Sequence, residues 1–310
     1  MAMRLHSSIL VLVGVSIVVS ARGQEESNQG LLVDYYPAVC HPALYPAPGC
    51  SLTVFQRHQL RTPVELPLRL ELFSYANRGN AIYELSVLKR PVCFYRVDLS
   101  PVRVESLGCR EDVSSAFDLA ISGNEHFMLV SGNIKREPAY GCGIFEFRLP
   151  ALEIRQVLDA GDCRSYGFEN AWTSLSLSPD GRQAVAVRQD RLELIDVVRG
   201  TRQTLAHGVV KAAWSPDGRW IAALNAHGET QLMRTNDYKV GRTLAGSEVQ
   251  WSPDSRYLIR VRPCSVPVAS NGVGTIEALD VTTGKSVEIG SSKCAIDNHS
   301  TGWVSADVLK

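Results

Sequence analysis

The chain carries no excess of either charge: 32 Lys plus Arg stand against 32 Asp plus Glu in 310 residues, with no run of like-charged residues. Without a net field nothing draws it to nucleic acid or anionic lipid, so a polyanion partner is excluded. There is no C-x-x-C, so the spacing a zinc site needs is missing, and no metal is expected. No G-x-S-x-G, H-E-x-x-H, Walker loop or G-x-G-x-x-G after a strand is present, which removes the nucleophile elbow, the zincin helix and the phosphate cradle. Helical periodicity is absent too, and after the first twenty residues no apolar run reaches membrane-spanning length. The mature histidines (His41, His58, His126, His207, His227, His299) are scattered along the chain and form no ligand set. No cofactor is expected. The hydrophobic and charged fractions, 45% and 21%, are those of an ordinary globular protein.

What is present begins with "MAMRLHSSILVLVGVSIVVSARGQEE": Arg4, an apolar run from Ile9 to Val19, and small residues that permit cleavage after Ala21 or Gly23. This pattern reads as a secretory signal peptide over residues 1–23, with an uncleaved anchor as the alternative. All eight cysteines (Cys40, Cys50, Cys93, Cys109, Cys142, Cys163, Cys264 and Cys294) follow it, and an even count in an exported chain points to disulfides. A secreted or periplasmic location is therefore expected.

One phrase then recurs. "LSLSPDGRQAVAV", "AAWSPDGRWIAAL" and "VQWSPDSRYLIRV" place Ser178, Ser215 and Ser252 at an interval of 37 residues, the mark of a repeat architecture. In each unit Pro presets φ for a turn, Asp bonds to nearby backbone N–H groups and Gly accepts a positive φ, so short strands flank tight turns. Four strands make one unit, and such a sheet buries both faces only when stacked on neighbours around an axis. The S-P-D-G phrase, with the later "IEALDVTTGKSVEIG" and "LELIDVVRGTRQTLA", resembles the TolB-type, WD-repeat-like propeller blade. That resemblance implies an all-β propeller, and counting the copies and end fragments in the chain gives a six-bladed ring, with five or seven blades as the alternatives. TolB also carries an α/β domain before its propeller, for which residues 24–49 are too few, so TolB's own role is not carried over.

Weaker copies at Phe73–Leu107 and Leu119–Leu158 complete five blades, at about 69–109, 115–163, 172–207, 209–246 and 247–294. The C-terminal "TGWVSADVLK" supplies the first strand and part of the second of a sixth blade, with Trp303 standing where Trp214 and Trp251 stand. Residues 50–68 supply its outer strands and close the ring, while residues 24–49 form a Pro-rich extended arm. The propeller domain thus spans 50–310. Tryptophans inside repeats are expected to pack between blades rather than to form a carbohydrate platform.

Strands alternate in direction, so the connections from second to third strand share a face with those leading to the next blade. Placed on the blades, Cys93 pairs with Cys109, Cys142 with Cys163 and Cys264 with Cys294, leaving Cys40 with Cys50; all staple that one face. The longest insertions lie there as well, and long loops on a rigid scaffold are where binding resides. Candidate contact residues are Tyr140, Tyr166, Phe168, Asn170, Asn271 and His299, together with the arm tyrosines Tyr35, Tyr36 and Tyr45. Around the channel mouth, the quasi-equivalent positions Leu70, Asp118, Ser174, Lys211, Glu248 and Ser300 include two acids. Asp118 and Glu248 suit an acid/base pair or a hard cation. Lys211 argues against dedicated calcium, since six-bladed calcium lactonases show a fuller acidic set.

The expected function is a monomeric, non-catalytic binding propeller that engages a protein or envelope component through its looped face. The alternatives are a small-molecule hydrolase or lyase using Asp118 and Glu248, and a structural subunit of a larger assembly.

Overall fold

The computed structural model describes residues 35–42, 50–56, 59–60, 64–76, 78–136, 139–161, 163, 166–167, 169–246, 249–262, 273–293 and 301–309. The first strands are β1 (Tyr35–Pro42), β2 (Cys50–Gln56), β3 (Gln59–Leu60) and β4 (Val64–Leu66). Blade one follows as β5 (Leu72–Tyr75), β6 (Ala81–Ser86), β7 (Val92–Leu99) and β8 (Val102–Arg110), and blade two as β9 (Val113–Ile121), β10 (Phe127–Arg136), β11 (Ala139–Arg148) and β12 (Glu153–Asp159). Blade three is β13 (Thr173–Leu177) to β14 (Gln183–Arg188), β15 (Arg191–Asp196) and β16 (Thr201–His207). Blade four is β17 (Val209–Trp214), β18 (Trp220–Asn225), β19 (Glu229–Arg234) and β20 (Val240–Ala245). Blade five is β21 (Gln250–Trp251), β22 (Tyr257–Arg262), β23 (Val273–Asp280) and β24 (Ser286–Lys293). The chain ends in β25 (Thr301–Ser305) and a 3-10 turn at Ala306–Leu309. Among the described residues no helix is long and apolar enough to cross a membrane.

Each of the five complete blades is a four-stranded antiparallel meander, and a sixth sheet joins the two ends of the chain: β25 pairs with β1, and β1 with β2. The expected six-bladed propeller and its closure by N- and C-terminal strands are what the chain forms. The closing strand differs from the expectation in one respect. The second strand of blade six is Tyr35–Pro42, in register from Tyr35↔Ser305 to Val39↔Thr301, so part of the expected arm belongs to the ring. Pro37 and Pro42 argue against a central strand, but Tyr36, Ala38 and Cys40 face one neighbouring blade while Val39 faces the other, and this burial on both sides decides the conformation.

Second strands explain why the repeats read as continuous apolar runs. Ala184 and Ala186 of β14 pack toward blade two, and Val185 and Val187 toward blade four. Six apolar clusters result, one at each junction around the ring, including the blade five–six and six–one junctions that hold it shut. Fourth strands lie outermost and are largely exposed, as in β16.

The Ser-Pro-Asp-Gly phrase is a hydrogen-bonded knot. Ser215 Oγ donates to Asp217 Oδ1 at 2.7 Å and accepts Trp220 N–H at 2.9 Å, while Asp217 Oδ1 accepts Arg219 N–H at 3.0 Å. Gly218 closes the turn at φ 74°. Blade two keeps the knot with other residues: Ser122 Oγ donates to Asn124 and accepts Phe127 N–H, and Glu125 takes the glycine's place at φ 58°. The divergent copy is thus the same turn with Asn for Asp, which tolerates the local hydrogen bond equally well.

Candidate functional site

First strands of all six blades line a central channel of about 670 Å³, which runs from Lys211 and Val210 at the looped end to Pro179 and Pro216 at the turn end. Trp214, Trp251 and Trp303 line it but are buried, and two of them tie blades together: Trp251 Nε1 donates to Ala213 O and Trp303 Nε1 to Gln250 O, each at 3.1 Å. Packing between blades is therefore their role, as their place in the repeat implies.

Asp118 sits at the same wall and is buried. Its Oδ1 accepts the N–H of Leu119 at 2.7 Å and its Oδ2 the N–H of Leu175, in the next blade, at 3.0 Å. Ser174, one blade on, does the same with a hydroxyl: Oγ accepts Ala212 N–H at 2.8 Å. The channel-mouth position is a repeating clasp in which a side chain on one first strand holds the backbone of the next. Glu248, the other member of the expected acidic pair, lies outside the described residues.

The looped face is uneven. In blade two β10 and β11 run ten residues each, against six for β14, β15, β18 and β19 in blades three and four. At roughly 3.3 Å per residue the hairpin extends about 13 Å further along the ring axis. Its base is stapled by Cys142–Cys163, with Cys142 fully buried. Cys93–Cys109 and Cys40–Cys50 hold the same face in blades one and six. All three bridges match the pairing expected from the blade register; Cys264 and Cys294 lie outside the described residues.

Behind this hairpin, at the blade two–three junction, the loop that follows β12 turns inward. Tyr166, expected as a surface contact, is 4% exposed and belongs to the core. Its hydroxyl lies 2.8 Å from Ser131 Oγ and 3.2 Å from Gly143 O, its ring meets Phe117 edge-on at 5.7 Å, and burial raises its pKa. A loop position does not preclude burial when the ring has a cavity between two sheets to fill. Beside it Trp172, unremarked in the sequence, is fully buried, with Nε1 donating to Glu193 Oε2 at 2.7 Å. Arg188 lies over the Trp172 ring at 4.3 Å and donates through Nε to Asn170 O at 2.9 Å. Burial, helped by Arg202, lowers the Arg188 pKa. The backbone carbonyl of Asn170 thus holds the half-buried Arg188 cation at this rim. The tryptophan ahead of β13, outside the repeat position that Trp214, Trp251 and Trp303 share, is the sequence signal for this cluster. Tyr140 falls in β11 opposite Lys135. Phe168, Asn271, His299 and Tyr45 lie outside the described residues.

No family model matches the chain and no curated protein matches it by sequence. Solved structures do. TolB from Acinetobacter baumannii superposes with a TM-score of 0.61 at 14% identity, over 87% of this chain and 66% of that one. A putative TolB from Agrobacterium tumefaciens gives 0.52 at 14% identity, over 88% of this chain and 98% of that one. A putative 6-phosphogluconolactonase from Bacteroides fragilis gives 0.50 at 12% identity, over 86% and 84%. The chain spans about two thirds of the length of the Acinetobacter protein. The fold is that of the TolB-type propeller, and at these identities the likeness is one of fold.

Proposed function

We propose that this TolB-type propeller is a non-catalytic binding protein of an extracytoplasmic compartment, secreted or periplasmic, which engages a protein or envelope component through its disulfide-stapled looped face. The observation that carries the reading is the blade-two hairpin, raised about 13 Å above its counterparts and anchored at its base by the buried Cys142–Cys163 bridge. Chain ordered at such cost on one side of a symmetric scaffold suits recognition. The oxidised cysteines fit an exported protein. Engagement of Asp118 in the inter-blade clasp favours binding over acid/base chemistry at the channel mouth. Six apolar junctions satisfied within one chain favour a monomer.

The test is crosslinking in the native compartment, with a photoreactive residue at the exposed Lys135 of the hairpin or at the exposed Arg219 of the opposite turn face. A discrete partner band from position 135 and none from 219 is expected. The reverse pattern overturns the reading.

A further inference from the structure

The three described disulfides are not alike. Cys40, Cys50 and Cys142 are 4%, 1% and 0% exposed, Cys93 and Cys163 are half-buried, and among the described cysteines Cys109 alone is exposed. Cys93 and Cys109 are direct register partners on β7 and β8, flanked by Val92↔Arg110 on one side and by Phe94↔Gly108, Tyr95↔Ser106 and the pairs down to Leu99↔Val102 on the other. The backbone ladder already holds what this bridge joins. The preceding loop has its own anchor, since Glu71 Oε2 accepts the N–H groups of Val87 and Leu88 at 2.5 and 2.8 Å. By contrast, Cys142–Cys163 fastens an irregular segment to a buried strand beside Tyr166 and Trp172.

We infer that Cys93–Cys109 is a thiol-exchange site on the looped face, opened by an external thiolate while the ring stays folded. This rests on the fold and not on the partner reading. Exchange needs an accessible sulfur in line with the bridge and a field that tolerates an incoming anion. Cys109, the exposed residue of the pair, supplies the access. The field comes from exposed Lys89 and Arg90 ahead of Cys93 and from Arg110 beside Cys109; of the acids nearby, Asp112 is paired with Arg110 at 2.6 Å and Glu71 is taken up by the Val87 and Leu88 N–H groups, which leaves exposed Glu111 as the one acid set against them.

In the first step a thiolate R–S⁻ attacks Cys109 Sγ. A new sulfur–sulfur bond forms there, the Cys93–Cys109 bond breaks, and its electron pair leaves on Cys93, which takes a proton from water. With a monothiol the product is a mixed disulfide at Cys109. With a dithiol, the second sulfur attacks the first, releases the Cys109 thiolate and leaves the reagent as its own disulfide, so the bridge gains the two electrons the dithiol loses.

The oxidised, folded protein is titrated with dithiothreitol in one arm and reduced glutathione in the other, acid-quenched, alkylated and mapped by mass spectrometry. Cys93 and Cys109 should become labelled at a dithiothreitol concentration at least about tenfold below that needed for the other two described bridges, in line with their access. The circular dichroism spectrum should be unchanged. Glutathione should be found on Cys109. Opening of all three bridges together, loss of the folded spectrum on opening, or a glutathione adduct on Cys93 overturns the assignment. The double variant Cys93→Ser with Cys109→Ser should keep the folded spectrum, and failure to fold counts against the site equally.

Discussion

Asp118 Oδ2 accepts the backbone N–H of Leu175 across a blade boundary at 3.0 Å, while its Oδ1 holds Leu119 N–H at 2.7 Å. A carboxylate at a channel mouth invites a catalytic reading, but both oxygens of this one are engaged by the scaffold. Asp118→Ala strands two N–H groups in a buried wall and should lower stability by about 2–4 kcal/mol. Asp118→Asn keeps one acceptor and should lose about half as much. Urea midpoints at constant m-value measure both. An alanine variant of unchanged stability returns Asp118 to the list of chemical groups.

A second buried acid gives a pH signature. Glu84 on β6 is 1% exposed, Oε1 accepts Glu71 N–H at 3.3 Å, and Oε2 meets no partner among the described residues. Burial first, then the neighbouring Glu71 carboxylate, pushes its pKa up to about 7 from 4.5. The folded state therefore binds this proton more tightly than the unfolded chain. The stabilisation is complete below about pH 4.5 and is lost as pH rises through about 7, amounting to roughly 3 kcal/mol. Glu84→Gln mimics the protonated form, so it should match the parent at about pH 4.5 and exceed it by up to that amount at about pH 8. A stability difference between the two chains that stays flat with pH sinks the argument.

Ring closure depends on residues that looked like an arm. A chain starting at Cys50 lacks β1, leaving β25 with its Tyr35–Val39 partners gone and an open edge. Open edges recruit other chains, so the truncated protein should elute as oligomers or aggregate. Elution as a monomer with unaltered melting would mean that β25 finds its second strand elsewhere.

The ring and its staples were legible because both rest on local chemistry repeated in the chain. Ser178, Ser215 and Ser252 announce the turns, and the cysteines fall at equivalent places on successive blades. Closure by Tyr35–Pro42 was not legible, since its partner strand is some 260 residues away and Pro37 weighs against a strand. The Trp172–Arg188–Tyr166 cluster was hidden for a related reason. Its members come from the loop after β12 and from β14, and only the packing of two sheets shows that Tyr166 fills the space between them while Arg188 caps it.

That cluster separates packing from recognition. Tyr166→Phe keeps the ring between Phe117 and Trp172 but deletes a hydroxyl that meets Ser131 Oγ and Gly143 O, at a cost of about 1–2 kcal/mol, whereas Tyr166→Ala also leaves a cavity and should cost about 3–5 kcal/mol. Neither should alter partner affinity per folded molecule. Arg188→Ala removes a half-buried cation stacked at 4.3 Å on Trp172 and frees Asn170 O, a change of about 1 kcal/mol in stability. Because that guanidinium stands at the rim, the same variant should weaken partner binding by about 1–3 kcal/mol. Melting and binding to the crosslinked partner are measured on all three variants. If Tyr166→Phe melts like the parent yet loses binding while Arg188→Ala binds normally, the tyrosine hydroxyl is a contact surface and the cation belongs to the scaffold, the reverse of the assignment made from their burial.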